Sequence, residues 1–268
     1  MVGPGYREAF TTRGEIYDDA MAAVPGARDE EFGFVVGLAE PSAGLHLLDI
    51  PAGGGYLAGH LPPGVGYTAV ECAPTFAARC RARGLMVIED EIGASSLAAG
   101  CADVIVSVAG LHHEADLTAV VAGWRRLLRP EGRLVIADVA EGSAVAAFLD
   151  GYVGRHNDVG HHGRYLGPGI ADLVRAAGFG AVRTVDRSYH WWFADERELG
   201  RFGVGLFGLG GVSPVEFVAA ARELLGVDEA ADGRIGLRWG LRAVTAGIPR
   251  GEPPRPVPPE PDTDGRGR

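Results

Sequence analysis

The sequence predicts an α/β protein: a doubly wound sheet of about seven strands, mostly parallel, with helices on both faces. Two observations carry this. Short apolar runs alternate with helix-length segments along most of the chain, and the first run, Leu47-Leu48-Asp49-Ile50, opens into the cluster Pro51-Ala52-Gly53-Gly54-Gly55. Strand, glycine-rich turn and helix in that order bring backbone N–H groups close to a ligand. Side chains at the glycines would hold a ligand away or forbid the turn's φ angles.

The elements follow in order. Tyr67-Thr68-Ala69-Val70 is a second strand ending in Glu71, an acid placed to accept hydrogen bonds from ribose hydroxyls. A third strand lies near Leu85-Met86-Val87, followed by Glu89-Asp90-Glu91. Ala102–Val108 is a fourth, fully buried strand. Arg129–Arg133 is a turn leading to a fifth strand, Leu134–Asp138. Residues 139–168 read as irregular, and a helix is expected over Pro168–Ala177, stopped by Gly178. Ala181–Val185 is a sixth strand and 237–246 a last one. Ile16–Met21 and Phe32–Leu38 are amphipathic helix candidates. Asp195 and Ser213 cap helices running to about Leu209 and Leu225.

Five units result: a helical N-terminal cap (1–43), a Rossmann-like core (44–187), a helical insertion serving as lid or dimer surface (188–236), the last core strand (237–248) and a disordered tail (249–268) rich in Pro, Gly, Arg and acids.

Composition bounds the function. The net charge is −10, there is no Lys, and every fixed positive side chain is Arg. The acidic balance argues against a nucleic-acid partner. No apolar stretch of about eighteen residues predicts a membrane span. The N-terminus lacks the apolar core of a signal peptide. The three cysteines, Cys72, Cys80 and Cys101, have no metal spacing and read as reduced thiols of a cytoplasmic protein.

These residues resemble the class I S-adenosylmethionine (SAM)-dependent methyltransferases, in particular the small-molecule "type 11" group. The family loop Asp/Glu-x-Gly-x-Gly-x-Gly corresponds to Asp49–Gly55, with Pro51 at the first glycine position. That departure removes one backbone donor. Glu71 matches the ribose-binding acid. Asp90 or Glu91 matches the acid that meets the adenine amino group. Ser107–Asp116, containing Leu111-His112-His113, resembles the loop after strand four, and Leu127–Gly132 the turn before strand five. The resemblance covers roughly residues 45–187. It implies SAM as cofactor, contacts from Asp49, Pro51, Ala52, Gly53, Gly55, Glu71, Asp90, Glu91 and Ser107, an antiparallel last strand, and a small-molecule acceptor.

A Gly-x-Gly-x-x-Ala dinucleotide variant, Gly53–Ala58, is formally present. Asp49 before the loop favours SAM instead.

For SAM chemistry the protein aligns the reactants and, where needed, removes a proton from the nucleophile. Among the eight histidines, His112 and His113 sit at the ligand edge of the sheet, and His156, His161 and His162 cluster in a later loop. His112, His113, His161 and His162 are the base candidates. A metal reading joins His156, His161 and Asp158 with His112 or His190, but no ligand signature supports it and no metal is expected. In a third reading these histidines only line the pocket. Tyr17, His156, Arg164 and Trp191 are candidate acceptor contacts, Arg164 for a carboxylate and Trp191 for a planar or cationic group. A homodimer is compatible with the insertion. Two further readings remain: cleavage of another C–S bond of SAM, by aminocarboxypropyl transfer or cyclisation, and a non-catalytic SAM-binding subunit.

Overall fold

The computed structural model describes residues 5–94 and 96–249. Its sheet has the order β3-β2-β1-β4-β5-β8-β6, with β7 paired to β8. The strands are β1 (His46–Asp49), β2 (Gly66–Val70), β3 (Val87–Ile88), β4 (Ala102–Val108), β5 (Leu128–Asp138), β6 (Gly180–Phe193), β7 (Val227–Glu229) and β8 (Ile235–Gly247). The first five run parallel; β8 runs antiparallel to β5, β6 and β7.

The buried strands have apolar residues on both faces, because helices cover both. Val104, Val106, Val135 and Ala137 join one core with α1 (Tyr6–Ala23), α2 (Asp29–Ala39), α5 (Ala144–Phe148), α8 (Glu196–Phe207) and α9 (Pro214–Leu224). Ile105, Leu134 and Ile136 join the other with α3 (Pro74–Ala82), α4 (Leu117–Leu127) and α7 (Ile170–Ala176). Each fully buried Leu, Ile or Val contributes about 1.5–3 kcal/mol. Trp124 of α4 is fully buried and still satisfies its indole N–H, which donates to Ile92 O at 2.7 Å. Helix α1 bridges the two cores: Tyr6, Ala9 and Phe10 pack in the second, Ala20 and Met21 in the first. It thereby covers the edge of the sheet where the glycine loop emerges.

Several expectations shift. Residues 188–193, expected in the helical insertion, extend β6. Tyr189, Trp191 and Phe193 alternate inward along the strand, a two-residue period that an aromatic cluster conceals. Residues 227–229, also assigned to the insertion, form β7, and β8 begins at Ile235. Only α8 and α9 of that segment are helical. Asp195 caps α8, and a Ser213–Glu216 capping box starts α9. The stretch 139–168 is not wholly irregular. Ser143 accepts from Ala146 N and starts α5, which continues through a π-helical turn (Leu149–Val153) into α6 (Gly154–His156). The turn expected at Arg129–Arg133 is a bulge within β5. Most of the expected tail, from residue 250 on, lies outside the described residues. Among the described residues no helix is long and apolar enough to cross a membrane.

Candidate active site

Asp49 ends β1, and the loop turns back through Gly53 (φ +57°) and Gly55 (φ +81°), conformations that other residues resist. The Ile50–Pro51 peptide is cis. A Cβ at Gly110, in the loop after β4, would lie 2.5 Å from Pro51 Cγ, so the proline ring packs directly on that loop's backbone. Two amides pin the loop to the second strand: Ala52 N donates to Val70 O at 3.1 Å, and Gly53 N to Glu71 Oε2 at 2.7 Å.

Glu71 is fully buried. Besides Gly53 N it accepts from Ala73 N at 2.7 Å and from the Tyr6 hydroxyl at 3.0 Å. Burial pushes its carboxyl up to about 7, against the pull of these hydrogen bonds. Asp49 is likewise pushed up to about 7 by burial; the Tyr67 hydroxyl, at 2.8 Å, opposes the rise. Both carboxyls thus stand at the edge where the glycine loop emerges, each held by uncharged donors. Asp90 and Glu91 lie further out. Asp90 accepts from Ser96 N and Oγ at 2.9 and 2.7 Å, and the exposed Glu91 pairs with Arg7. Ser107 is buried on β4, and its Oγ has no partner among the described residues.

Two small chambers adjoin at this edge. The first, about 40 Å³, is lined by Asp49, Pro51, Ala52, Gly53 and aromatic rings including Tyr6, Tyr17 and Tyr56. The second, about 70 Å³, is lined by His112, His113, His161, Arg13, Trp191 and Trp239, among others. Phe10, Tyr17, Arg28 and Ala109 line both and so form the partition. The first is smaller than a nucleoside. Ligand entry there requires the α1 rings to withdraw, whereas the polar groups beneath them fit.

The second chamber collects three histidines. His112 Nδ1 lies 2.7 Å from Asp138 Oδ1, and its amide donates to Asp138 Oδ2 at 3.1 Å. His161 Nδ1 lies 3.0 Å from Asp150 Oδ1, which also accepts from Tyr165 OH at 2.6 Å. Each carboxylate faces Nδ1, and in the Nδ1–H tautomer the lone pair is on Nε2. His113 packs against both, tilted to His112 with ring centroids 4.3 Å apart and edge-on to His161 at 5.4 Å. Burial, reinforced by His112, His161 and Arg13, pushes His113 well below the usual histidine range. His161 falls to about 4, mainly through burial.

Not every predicted residue arrives. His162 is exposed and lines neither chamber. His156 binds Tyr152 O through Nδ1 at 2.9 Å, Asp158 is exposed, and His190 pairs with Asp228 at 2.8 Å, so that metal set is not assembled. Arg164 is exposed; its guanidinium donates to Ala115 O, and its amide donates to His112 O at 2.7 Å. Tyr17 and Trp191 do line the second chamber. The Tyr17 hydroxyl accepts from Arg28 at 2.5 Å. Trp191 stacks on Trp239 with centroids 4.2 Å apart and donates to Glu31 at 2.9 Å.

Sequence reasoning missed Tyr6, Arg13, Arg28, Asp138 and Asp150. Asp138 had a signal, an acid at the C-terminal tip of a core strand. The others reach the site only through the packing of α1, α2 and α5.

Residues 48–136 match the family model described as a methyltransferase domain. Three solved structures share the fold. A Thermotoga maritima SAM-dependent methyltransferase, described as a possible histamine N-methyltransferase, is 15% identical with TM-score 0.62, over 90% of this chain and 99% of that one. A Haemonchus contortus phosphoethanolamine N-methyltransferase 2, in complex with SAM, is 14% identical with TM-score 0.64, over 92% of this chain and 60% of that one. The [4+2]-cyclase SpnF is 14% identical with TM-score 0.61, over 93% and 98%. No curated protein matches the sequence. Residues 48–136 thus match a methyltransferase domain, and the chain shares the Rossmann-like fold of the SAM-dependent methyltransferase from Thermotoga maritima.

Proposed function

We infer that the protein methylates a small molecule, with SAM in the first chamber and the acceptor in the second. The observation that carries this is the shared partition. Phe10, Tyr17, Arg28 and Ala109 border both chambers, so the two spaces adjoin at these side chains, and withdrawal of the Phe10 and Tyr17 rings would bring donor and acceptor into contact.

Bound SAM supplies an electrophilic methyl group on a sulfonium. Glu71 accepts from the ribose hydroxyls, and the backbone around Gly53 and Gly55 lets the cofactor approach closely. Asp49 faces the amino-acid end, and Asp90 or Glu91 the adenine edge. The Phe10 and Tyr17 faces at the partition suit a positive charge. On the acceptor side Trp191 and Trp239 offer flat apolar walls. Arg13, whose buried Nε has no partner among the described residues, offers a site for an anionic group. The histidine cluster faces the acceptor and carries its activation.

Calorimetric titration with SAM and, separately, NADH tests the cofactor. The expected result is SAM binding alone; NADH binding without SAM binding overturns the reading. Turnover with candidate acceptors, followed by mass spectrometry, tests the reaction. S-adenosylhomocysteine supports methyl transfer. Methylthioadenosine would assign cleavage of another C–S bond.

A further inference from the structure

One nitrogen from each of His112, His113 and His161 lies within 4.8 Å of the other two. We propose that these three histidines bind a divalent transition-metal ion, zinc in the first instance, with an open coordination position facing the acceptor chamber.

The distances suit such a site. Around a tetrahedral ion at about 2.1 Å the nitrogens stand roughly 3.4 Å apart, and small ring rotations close the difference. Three imidazoles without a thiolate are a donor set for zinc, iron, nickel or copper, and three protein ligands with one open position is the arrangement of catalytic zinc. The support behind the ligands is already built. Metal-bound histidines commonly donate their other ring N–H to a carboxylate, and His112 and His161 each do so, to Asp138 and Asp150. Both carboxylates are themselves held: Asp138 accepts from His112 N and Val139 N, Asp150 from Gly163 N and Tyr165 OH. Among the described residues no hydrogen bond engages Nε2 of His112 or His161, or either nitrogen of His113.

Charge then points to the acceptor. Asp138 and Asp150 together balance a divalent ion, and Arg13 leaves one positive charge in excess. That excess suits an acceptor bound through an ionised oxygen or sulfur. The ion lowers the pKa of the acceptor's O–H or S–H, and the proton leaves to solvent. The freed lone pair attacks the methyl carbon. The carbon–sulfur bond breaks with its electron pair going to sulfur, giving the neutral thioether, and no redox change occurs at the metal. This role rests on the methyl-transfer reading, whereas the binding of the ion does not.

The test uses the full-length chain without an affinity tag, stripped with chelator. Cobalt(II) is titrated and its visible spectrum read; zinc affinity is measured by competition with a chromophoric chelator. One equivalent is expected, with a nitrogen-ligated cobalt spectrum. His113→Ala and His161→Ala should each lower the affinity at least about 10-fold, and Asp150→Asn about 10–100-fold. His60→Ala should change nothing. SAM is titrated alongside, and circular dichroism of every variant checks that it is folded. Absent stoichiometric uptake, or uptake undiminished in both His113→Ala and His161→Ala, overturns the proposal. SAM binding without metal binding would remove the metal site and leave the methyltransferase reading standing. Metal binding without SAM binding would do the reverse.

Discussion

The Tyr6 hydroxyl donates to Glu71 Oε2 at 3.0 Å, joining the start of α1 to the acid at the tip of β2. On the proposed reading Glu71 also accepts from the ribose hydroxyls, so the two donors would compete for one carboxylate. Tyr6→Phe should therefore act in opposite directions on two equilibria. The unliganded protein should lose about 0.5–1.5 kcal/mol of stability with the lost hydrogen bond, read from denaturant melts. SAM binding should tighten roughly 2–10-fold, because no internal donor must be displaced first. Weaker binding would show that Tyr6 contacts the cofactor instead of standing in for it.

The same edge gives the pH dependence. Burial raises Glu71 and Asp49 to about 7, above their ordinary values of 4.5 and 3.8. The folded state thus holds protons that the unfolded chain has released. Stability from these groups is full below the unfolded values and falls as pH climbs toward 7, by up to ~1.4 kcal/mol per pH unit for each group. Ribose hydroxyls donating to ionised Glu71 should draw its pKa down, so SAM binding near neutral pH should release protons. Calorimetry in buffers of different ionisation enthalpy reads this directly. Proton uptake would place the ribose elsewhere.

Helices α8 and α9 pack through glycine. A Cβ at Gly203 would fall 2.1 Å from the ring of Phe217, which is fully buried and has no room to retreat. Gly203→Ala should cost about 1–3 kcal/mol in thermal or denaturant melts. SAM affinity should hold, since neither residue lines the first chamber.

How legible this was depended on the range of the interaction. The β1 loop, Glu71, the buried β4 and the Asp195 and Ser213 caps are local signals, each carried within a few residues. Strand β6 was read short because Asp186-Arg187-Ser188 face solvent and break the apolar pattern, while its far half is paired by β8 out to Phe193 with Ile235. The histidine cluster lies beyond local reading altogether. His112 and His161 come together because α5 and the loop after it fold back over β5. Their orienting acids, Asp138 and Asp150, belong to different elements again. His162 and His161 are neighbours in sequence, and only burial separates their roles.

Arg13 offers the clearest separation of stability from function. Its guanidinium lines the second chamber and donates through Nη2 to Leu206 O at 3.3 Å, and its buried Nε has no partner among the described residues. Burial lowers its pKa, the signature of a charge short of compensation. A buried cation without a carboxylate costs free energy that an apolar side chain of similar length recovers. Arg13→Met should therefore raise the stability of the unliganded protein by on the order of 1 kcal/mol. With an anionic acceptor the same change should raise KM at least about 10-fold, since a charge-assisted hydrogen bond of 1.5–3 kcal/mol is lost. SAM affinity should be unaltered, because Arg13 lines only the second chamber. A variant both less stable and equally active would assign Arg13 to holding α1 against α8, with no part in acceptor binding.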